Sequence, residues 1–212
     1  MAKNNKYMEK VLSEIIVATS NIGKFKEIER ILKKAGIKAI LIKEKVEIEE
    51  KGSTFLENAY LKAKQYYKMF RKPVLADDSG IIAKALGDLP GIYSSRFYSI
   101  DFGGVEAPVP DKDTANIRKL LRLLKDKKDR NAYFEAYIVL LIDSERGIFT
   151  RGICKGVITE TPKGNKGFGY DPIFVPEGRD KTMAEMDGEE KDEISHRGKA
   201  LKALIDLILK FK

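Results

Sequence analysis

Two adjacent carboxylates, Asp77 and Asp78, follow the apolar run 74–76 and precede Ser79 and Gly80. A proline opens the run, so the pattern predicts a buried strand that ends by delivering both acids into a turn. Because neighbouring strand residues point to opposite faces, the two acids are expected to have different roles. Carboxylates at a strand end suit Mg²⁺, which takes one or two of them together with substrate phosphates. The alternative is a solvated turn, since Asp, Ser and Gly are ordinary turn residues.

A polar loop, residues 19–24, is the second stretch that could do chemistry. It lies between the apolar run 15–18, which predicts a buried strand, and a predicted helix that stops at Gly36. The unpaired N–H groups at the start of such a helix attract anions, and Lys24 adds a cation. The loop lacks the Walker pattern, and the alternative is a simple helix cap. Its residues are Thr19, Ser20, Asn21, Ile22, Gly23 and Lys24.

A glycine-rich loop, residues 163–172, offers a different kind of chemistry. Its glycines let the backbone approach a ligand closely, and the ring of Phe168 or Tyr170 could stack on a nucleobase. Asp171 could accept hydrogen bonds from a base or support the fold. The alternative is a surface loop whose aromatic side chains fold back into the core.

His196 is the only histidine of the chain, and it lies beside Arg197 at the start of the last predicted helix, 195–211. Lys191 comes five residues earlier. Three donor side chains near a helix start can hold a polar, electron-rich ligand. The alternative is a structural histidine with no part in binding.

The remaining patterns predict an α/β protein with about one sheet, whose loops line a cleft. A capping box at Thr54 predicts a helix to Phe70, and a second capping box spans 182–185. The long loop 98–113 has the character of a functional lid. The stripe predicted as buried on the helix that Thr54 caps is Leu56, Ala59, Tyr60, Ala63 and Tyr67. Further strands are predicted at 37–42, 81–86 and 173–175, a hairpin at 131–142 and 148–159, and a helix at 114–125.

Composition limits the classes of function. The chain has 212 residues, 43% hydrophobic and 34% charged, as expected of a globular protein with one domain or two small lobes. We predict an extension at 1–13 and a single domain at 14–212. The net charge of +8 fits either nucleic-acid binding or attraction of a polyanionic small substrate, and the spread of lysines favours the second. No membrane span or signal peptide is visible, one cysteine, Cys154, allows no internal disulfide, and a cytoplasmic location is expected.

Six stretches together resemble the inosine triphosphate pyrophosphatase family, also called the XTP/dITP diphosphatases. They occur in the order typical of that family, and the resemblance runs from about residue 15 to the last helix. The stretches are residues 18–24, 54–59, 76–80, 90–94, 168–174 and 194–198.

The resemblance implies an elongated mixed sheet flanked by helices, with two lobes around a substrate cleft. It implies hydrolysis of a purine nucleoside triphosphate between the α and β phosphates, giving the monophosphate and pyrophosphate. The preferred bases would be hypoxanthine and xanthine, which are products of purine deamination. Mg²⁺ would be required, and the protein would be a homodimer.

The resemblance also assigns roles to residues. Asp78 would be the general base and a Mg²⁺ ligand, Glu49 the other metal-linked acid, and Asp77 a further metal ligand with a less fixed role. Thr19 through Lys24 would bind the triphosphate. Residues implied to contact the rest of the nucleotide are Ser79, Arg96, Phe168, Gly169, Tyr170, Asp171, Lys191, His196 and Arg197, with His196 and Arg197 near the oxygen of the base.

Two rival functions remain open at this point. One is the related group of enzymes that hydrolyse other modified or pyrimidine nucleotides, and the segment 195–197 argues against it. The other is a basic nucleic-acid-binding module. The chain departs from the family pattern by its first 13 residues and by the length of the loop 98–113.

Overall fold

A computed structural model describes residues 12–42, 46 and 51–210. Its centre is a six-stranded mixed sheet with strand order β2-β1-β3-β4-β5-β6, which confirms the predicted α/β class. The strands are β1 Glu14–Ala18, β2 Lys38–Leu41, β3 Val74–Ala83, β4 Asn131–Leu141, β5 Gly147–Ile158 and β6 Phe174–Pro176. The α-helices are α1 Ile22–Lys34, α2 Phe55–Phe70, α3 Lys112–Leu123, α4 Gly188–Ile194 and α5 His196–Lys210, and 3-10 helices span Lys84–Leu86, Gly91–Ser99 and Asp171–Ile173.

Strand β1 is the centre of the parallel part of the sheet. It pairs in parallel with β2 on one side, Ile15 facing Ala39, and with β3 on the other, Val17 facing Leu75. A strand paired on both edges and covered on both faces reads as a continuous apolar run, as the segment 15–18 does. The register pairs Ala18, the last residue of β1, with Ala76, which places the loop after β1 beside the acids that follow in β3.

The chain forms two compact units, each with its own core. The first consists of the described residues of 12–78, 136–152 and 196–210, and the second of 79–135 and 153–195. In the first unit α1 and α5 pack on β1, while α2 packs with Val74 and Ala76. In the second unit α3, β5 and β6 enclose a cluster that includes Phe97 and Cys154.

The predicted turn after Ala76 is wrong. Strand β3 continues through both acids, Ser79 and Gly80 as far as Ala83, so the separate strand predicted at 81–86 is its second half. Turn-forming residues adopt extended backbone here because the structure around them supplies partners: Ser94 Oγ accepts the Ile81 N–H at 3.0 Å. The acids therefore stand within a buried strand, where only paired charges are tolerated.

The buried face predicted for α2 is rotated from the observed one. Thr54 caps the helix as predicted, accepting the Glu57 N–H, and Ala59 and Ala63 point inward. Tyr60, however, is 43% exposed, and the inward positions include the polar Asn58 and Lys62. The predicted face contained apolar residues only. It therefore left out Asn58 and Lys62, whose polar groups are buried together with their partners.

In the second unit, helices start at residues other than the predicted ones. Glu185 Oε2 accepts the Thr182 N–H at 2.7 Å, as in a capping box, but the Thr182 hydroxyl donates to the Lys163 carbonyl and no helix starts there. The next helix, α4, starts instead after Asp187, whose side chain accepts the Glu190 N–H. Helix α3 starts at Lys112, inside the predicted loop, with Asp111 as its cap. No helix in the described part of the chain is long and apolar enough to cross a membrane.

Candidate active site

The two acids of β3 are both buried and have different cationic partners, as their alternation along the strand predicts. Asp77 Oδ2 lies 2.6 Å from Lys24 Nζ and 3.2 Å from a terminal nitrogen of Arg197. Asp78 Oδ1 accepts a hydrogen bond from Lys62 Nζ at 2.8 Å. The first acid therefore connects the start of α1 with the start of α5, and the second faces α2.

A third carboxylate, Glu27, completes this set of charges. Its Oε2 lies 2.5 Å from the other terminal nitrogen of Arg197, whose side chain is 2% exposed. We call these six residues the charge cluster: Lys24, Glu27, Lys62, Asp77, Asp78 and Arg197. The cluster belongs entirely to the first unit and holds three positive and three negative groups.

The ion pairs set the protonation of the cluster. Burial alone would raise the pKa of Asp77, but the charges of Arg197 and Lys24 outweigh it and hold that pKa far below its ordinary value. Burial opposes the charge of Arg197 too, yet Asp77 and Glu27 raise the pKa of its guanidinium. The two groups therefore favour each other's charged form.

Helix α5 is seated against β5 by a glycine. A Cβ on Gly152 would lie 2.0 Å from the His196 carbonyl oxygen and 2.7 Å from the Ala200 nitrogen. Thr150 Oγ1, two residues along the strand, donates to the Ala200 carbonyl at 2.8 Å. This contact positions His196 and Arg197, which are both buried. A lone glycine inside a strand pattern signals such a close backbone approach, and it could have been found in the sequence.

The polar loop after β1 forms the helix cap that was the alternative to the predicted anion site. Asn21 Oδ1 accepts the Lys24 N–H at 3.0 Å, and Thr19 Oγ1 accepts the Asn21 N–H at 3.1 Å. The side chain of Lys24 is 17% exposed and reaches Asp77 from the first turn of α1. The positive end of a helix and a partly exposed ammonium thus coincide, which is the arrangement expected of an anion site. The other loop residues, Ser20, Ile22 and Gly23, are at least partly exposed.

Sequence reasoning missed Lys62 and its neighbour Asn58. Both lie on the inward face of α2, one turn apart. Asn58 Oδ1 accepts the Gly52 N–H at 2.9 Å, and a Cβ at Gly52 would be only 2.7 Å from that oxygen. The helix therefore holds both an acid of β3 and the backbone at Gly52. Glu49, the other predicted metal ligand, lies outside the described residues.

The second unit contains a separate set of predicted site residues, the aromatic loop, which we define as residues 167–171. Asp171 Oδ2 accepts the Phe168 N–H at 2.8 Å and lies 2.5 Å from Lys191 Nζ. The same ammonium lies 4.9 Å from the centre of the Phe168 ring, within the range of a cation–π contact. Tyr170 points into the core and donates to the Ser94 carbonyl at 2.9 Å, so Phe168 presents the available aromatic face.

Two further predicted residues have less specific surroundings. Ser79 is partly exposed in β3. The guanidinium carbon of Arg96 lies 5.3 Å from the centre of the Tyr93 ring in the 3-10 helix Gly91–Ser99. That either side chain touches substrate stays a prediction.

The donors can be compared with what Mg²⁺ needs. Across the described residues, no three His, Cys, Asp or Glu side chains are grouped closely enough to hold a metal. Mg²⁺ does not require such a cage, since one or two carboxylates suffice when waters and substrate phosphates complete the shell. Asp78 carries a carboxylate, the kind of ligand that Mg²⁺ takes, and Lys62 holds one of its two oxygens. Asp78 therefore fits a site in which the metal is shared with a phosphate ligand.

Comparison with known proteins gives a consistent result. The Ham1 family model matches residues 15–207. The dITP/XTP pyrophosphatase of Aquifex aeolicus is 55% identical over 92% of this chain and 96% of its own length, and that of Bacillus subtilis is 42% identical over 93% and 98%. The Ham1 protein of Staphylococcus aureus has a TM-score of 0.78 at 38% identity, covering 94% of this chain and all of that one. A Coxiella burnetii HAM1 protein has a TM-score of 0.79 at 38% identity over 93% of this chain and 98% of its own.

Proposed function

Because this chain belongs to the Ham1 family, we propose that it hydrolyses ITP, dITP and XTP to the nucleoside monophosphate and pyrophosphate. Its relatives carry the name dITP/XTP pyrophosphatase at up to 55% identity. The resemblance expected from the six sequence stretches is thereby confirmed at the level of the family. The reaction would remove deaminated purines from the nucleotide pool.

The observation that carries the proposal is the pairing of Lys62 with Asp78. Cleavage of a phosphoanhydride needs an attacking water in line with the leaving oxygen, a base that orients it, and neutralisation of charge. The Lys62 ammonium, 2.8 Å from Asp78 Oδ1, compensates the charge of this buried carboxylate, which as the base would take a proton from the water. The same bond fixes the rotamer of Asp78. We assign Asp78 as the general base and Lys62 as the residue that orients it.

The triphosphate is assigned to the start of α1. Lys24 is the partly exposed cation of the charge cluster, and it lies in the first turn of a helix whose positive end faces an incoming anion. Asp77 holds its ammonium in place and is itself fixed by Arg197. We therefore assign Asp77 the task of positioning Lys24; the metal contact expected for it from the resemblance stays untested.

Charge balance supports a need for Mg²⁺. The six members of the charge cluster sum to zero, so they leave the added charge of a triphosphate without full compensation. Asp78 and Glu49 would hold the metal, which when bound would neutralise charge on the phosphate oxygens. The residues of the chain still orient the water and take its proton.

The base is assigned to Phe168, Asp171 and Lys191 of the second unit, and the contact of His196 with the base stays a prediction from the resemblance. Phe168 offers a flat face, and Asp171 and Lys191 offer an acceptor and a donor beside it. A donor at the 6-oxo group of hypoxanthine would meet an amino group in adenine, at a cost of roughly 1–3 kcal/mol for an unmatched buried donor. Both ends of the Arg197 guanidinium contact carboxylates, so we assign it to the charge cluster, and a direct contact with the base stays untested.

Pyrophosphate release from a panel of nucleotides tests the proposal. We expect rapid release from ITP, dITP and XTP in the presence of Mg²⁺, slow release from ATP and GTP, and little without the metal. Faster turnover of dTTP or methylated UTP than of ITP would favour the pyrimidine-nucleotide rival. Steep salt-dependent binding of DNA with no release from ITP would instead favour a nucleic-acid-binding module.

We also propose a homodimer that works in the cytoplasm, as the resemblance to the family implies. Light scattering behind a sizing column would give the mass of the assembly, against 23.9 kDa for one chain. A single-chain mass at micromolar concentration would contradict the dimer. Fractionation of cells expressing the tagged chain would test its location.

A further inference from the structure

The segment before α3 is tied to that helix by three cationic side chains. Arg118 donates to the Glu106 carboxylate at 3.0 Å and to the carbonyls of Val109 and Ala107 at 3.0 and 2.8 Å. Arg122 donates to the other oxygen of Glu106 at 2.8 Å. The buried ammonium of Lys119 donates to the carbonyls of Phe97 and Ile100. The loop 98–113, whose length suggested a lid, is thus bonded along much of its length to α3, the helix that follows it.

This pinned segment ends in an acid that reaches the aromatic loop. Asp111 caps α3 by accepting the Thr114 N–H at 2.9 Å, and Asp113 lies in the first turn. The Asp113 Oδ2 accepts the Gly169 N–H at 2.7 Å, although the two residues are 56 positions apart. A carboxylate in the first turn of a helix interacts favourably with the helix dipole.

Two carboxylates therefore bind two consecutive backbone N–H groups of the aromatic loop. Asp171 accepts from Phe168 N, and Asp113 accepts from Gly169 N. Gly169 has φ +60°, a left-handed conformation, and successive N–H groups in such a turn form a concave site for anions. The burial of Tyr170 and the nearby charge of Asp113 both raise the pKa of its phenol.

These contacts fix the backbone on both sides of the Phe168 ring. On one side Asp171 holds the Phe168 N–H, and on the other the Asp113 contact at Gly169 and the Tyr170 bond to Ser94 O hold the chain. A ring whose backbone is held in this way needs little ordering when a flat ligand stacks on it, and preorganisation of this kind raises affinity.

We propose that Asp113 is a positioning residue that sets the orientation of Phe168 for the purine base. The inference rests on the proposed function, since it requires that the aromatic loop binds the base. Asp113 acts on binding and not on the chemical step, because its described contact is with the loop and not with the charge cluster. Substrates and inhibitors that lack a base should therefore be indifferent to it.

The variant Asp113→Ala tests this inference by separating base affinity from phosphate affinity. We expect KM for ITP to rise about five- to tenfold with kcat within about twofold of wild type, as loss of uniform binding predicts. The inhibition constant of inorganic tripolyphosphate, which has no base, should not change. Asp113→Asn retains an oxygen acceptor and should raise KM by only about two- to threefold. Asp180→Ala, at an exposed aspartate of the same unit for which no contact is described, is the matched control.

An unchanged KM for ITP in Asp113→Ala would overturn the inference. So would a rise in the tripolyphosphate inhibition constant as large as the rise in KM, because the effect would then not be specific to the base. Should the alanine variant fail to fold, an unchanged KM in Asp113→Asn, together with unchanged stability, would also overturn it. Absence of ITP turnover in the wild-type protein would instead refute the proposed function, so the two failures are distinguishable.

Discussion

The charge cluster and the aromatic loop are both organised by buried carboxylates, but the carboxylates bind different kinds of partner. In the charge cluster Asp77 and Asp78 contact side-chain cations from α1, α2 and α5. In the aromatic loop Asp171 contacts a backbone N–H three residues away as well as Lys191. In the charge cluster the ion pairs hold charged groups at fixed positions, whereas in the aromatic loop the carboxylate holds the backbone conformation of a turn.

This difference predicts two kinds of sensitivity to substitution. Removing one charge from the cluster leaves a buried partner charge uncompensated. The free energy of unfolding or the rate of turnover should therefore fall steeply. Altering the aromatic loop should change the placement of one ring and hence the affinity for the base. The five predictions below are arranged from the largest expected effect to the smallest.

Asp78→Asn should lower ITP turnover by about a hundred- to ten-thousandfold, because the amide cannot accept a proton from water. The carboxamide keeps the shape of the group, so ITP binding should remain largely intact. Pyrophosphate release at saturating ITP and Mg²⁺ measures turnover, and equilibrium binding of ITP measures affinity. Turnover close to wild type would remove Asp78 from the role of general base.

Asp77→Asn should destabilise the protein by about 3–5 kcal/mol, since it leaves Lys24 and Arg197 without their shared buried carboxylate. Urea unfolding at neutral pH measures this loss. The control is Glu14→Gln, at an exposed ion pair with Lys38 in the same unit, where little change is expected. A loss in Asp77→Asn no larger than in the control would contradict the view that the cluster depends on charge.

The same variant makes a prediction about pH. The depressed pKa of Asp77 contributes stability that is fully present above the ordinary aspartate pKa of about 3.9 and is lost as pH falls toward the folded-state value. Between about pH 5 and pH 3 the wild type should therefore lose stability more steeply than Asp77→Asn, by up to about 1.4 kcal/mol per pH unit. If the free energies of unfolding of the wild type and Asp77→Asn fell in parallel as the pH is lowered, Asp77 would have the same pKa in the folded and unfolded states.

His196→Ala should reduce ITP turnover about ten- to hundredfold more than ATP turnover, if the imidazole matches the 6-oxo group. The ratio of kcat/KM for the two nucleotides is its own control, because a general loss of active protein cancels from it. Equal losses on both nucleotides would place His196 with the phosphates or with the fold of α5.

Gly167→Ala should weaken ITP binding about tenfold, because a Cβ there would lie 2.1 Å from Asp171 Oδ2 and displace the acceptor of the Phe168 N–H. Gly169→Ala is the matched variant, since it also has positive φ but its Cβ would meet nothing within 4 Å. Both carry backbone strain, so the difference between them isolates the clash. Equal KM values in the two variants would show that Asp171 does not shape the base site.

The same comparison explains what the sequence could and could not predict. The aromatic loop was predicted because its contacts are local and its glycines and aromatics stand next to each other in the chain. The pairing of Arg197 with Glu27 joins residues 170 positions apart, and no local pattern connects them. In the sequence, Glu27 lies among apolar helix positions and suggests a solvated charge. Only the structure shows that Arg197 lies beside it.

The turn predicted at the acids failed for a related reason. Local preference favours a turn at Asp-Asp-Ser-Gly, but the cations of three helices supply the partners that let β3 continue as a strand. Lys62 was missed because polar residues were excluded from the buried stripe of α2. The elements with apolar patterns, such as β1 and the core face of α5 with Leu201 and Leu204, were predicted correctly.

The single cysteine offers an experimental handle on the two units. Cys154 is buried in the core of the second unit, in the cluster that also contains Phe174, and the chain has no other thiol. Its modification by a thiol reagent requires that core to open, so the rate of labelling would report opening of the second unit separately from the first. Labelling in the presence of tripolyphosphate and of ITP would then reveal which ligand slows that opening.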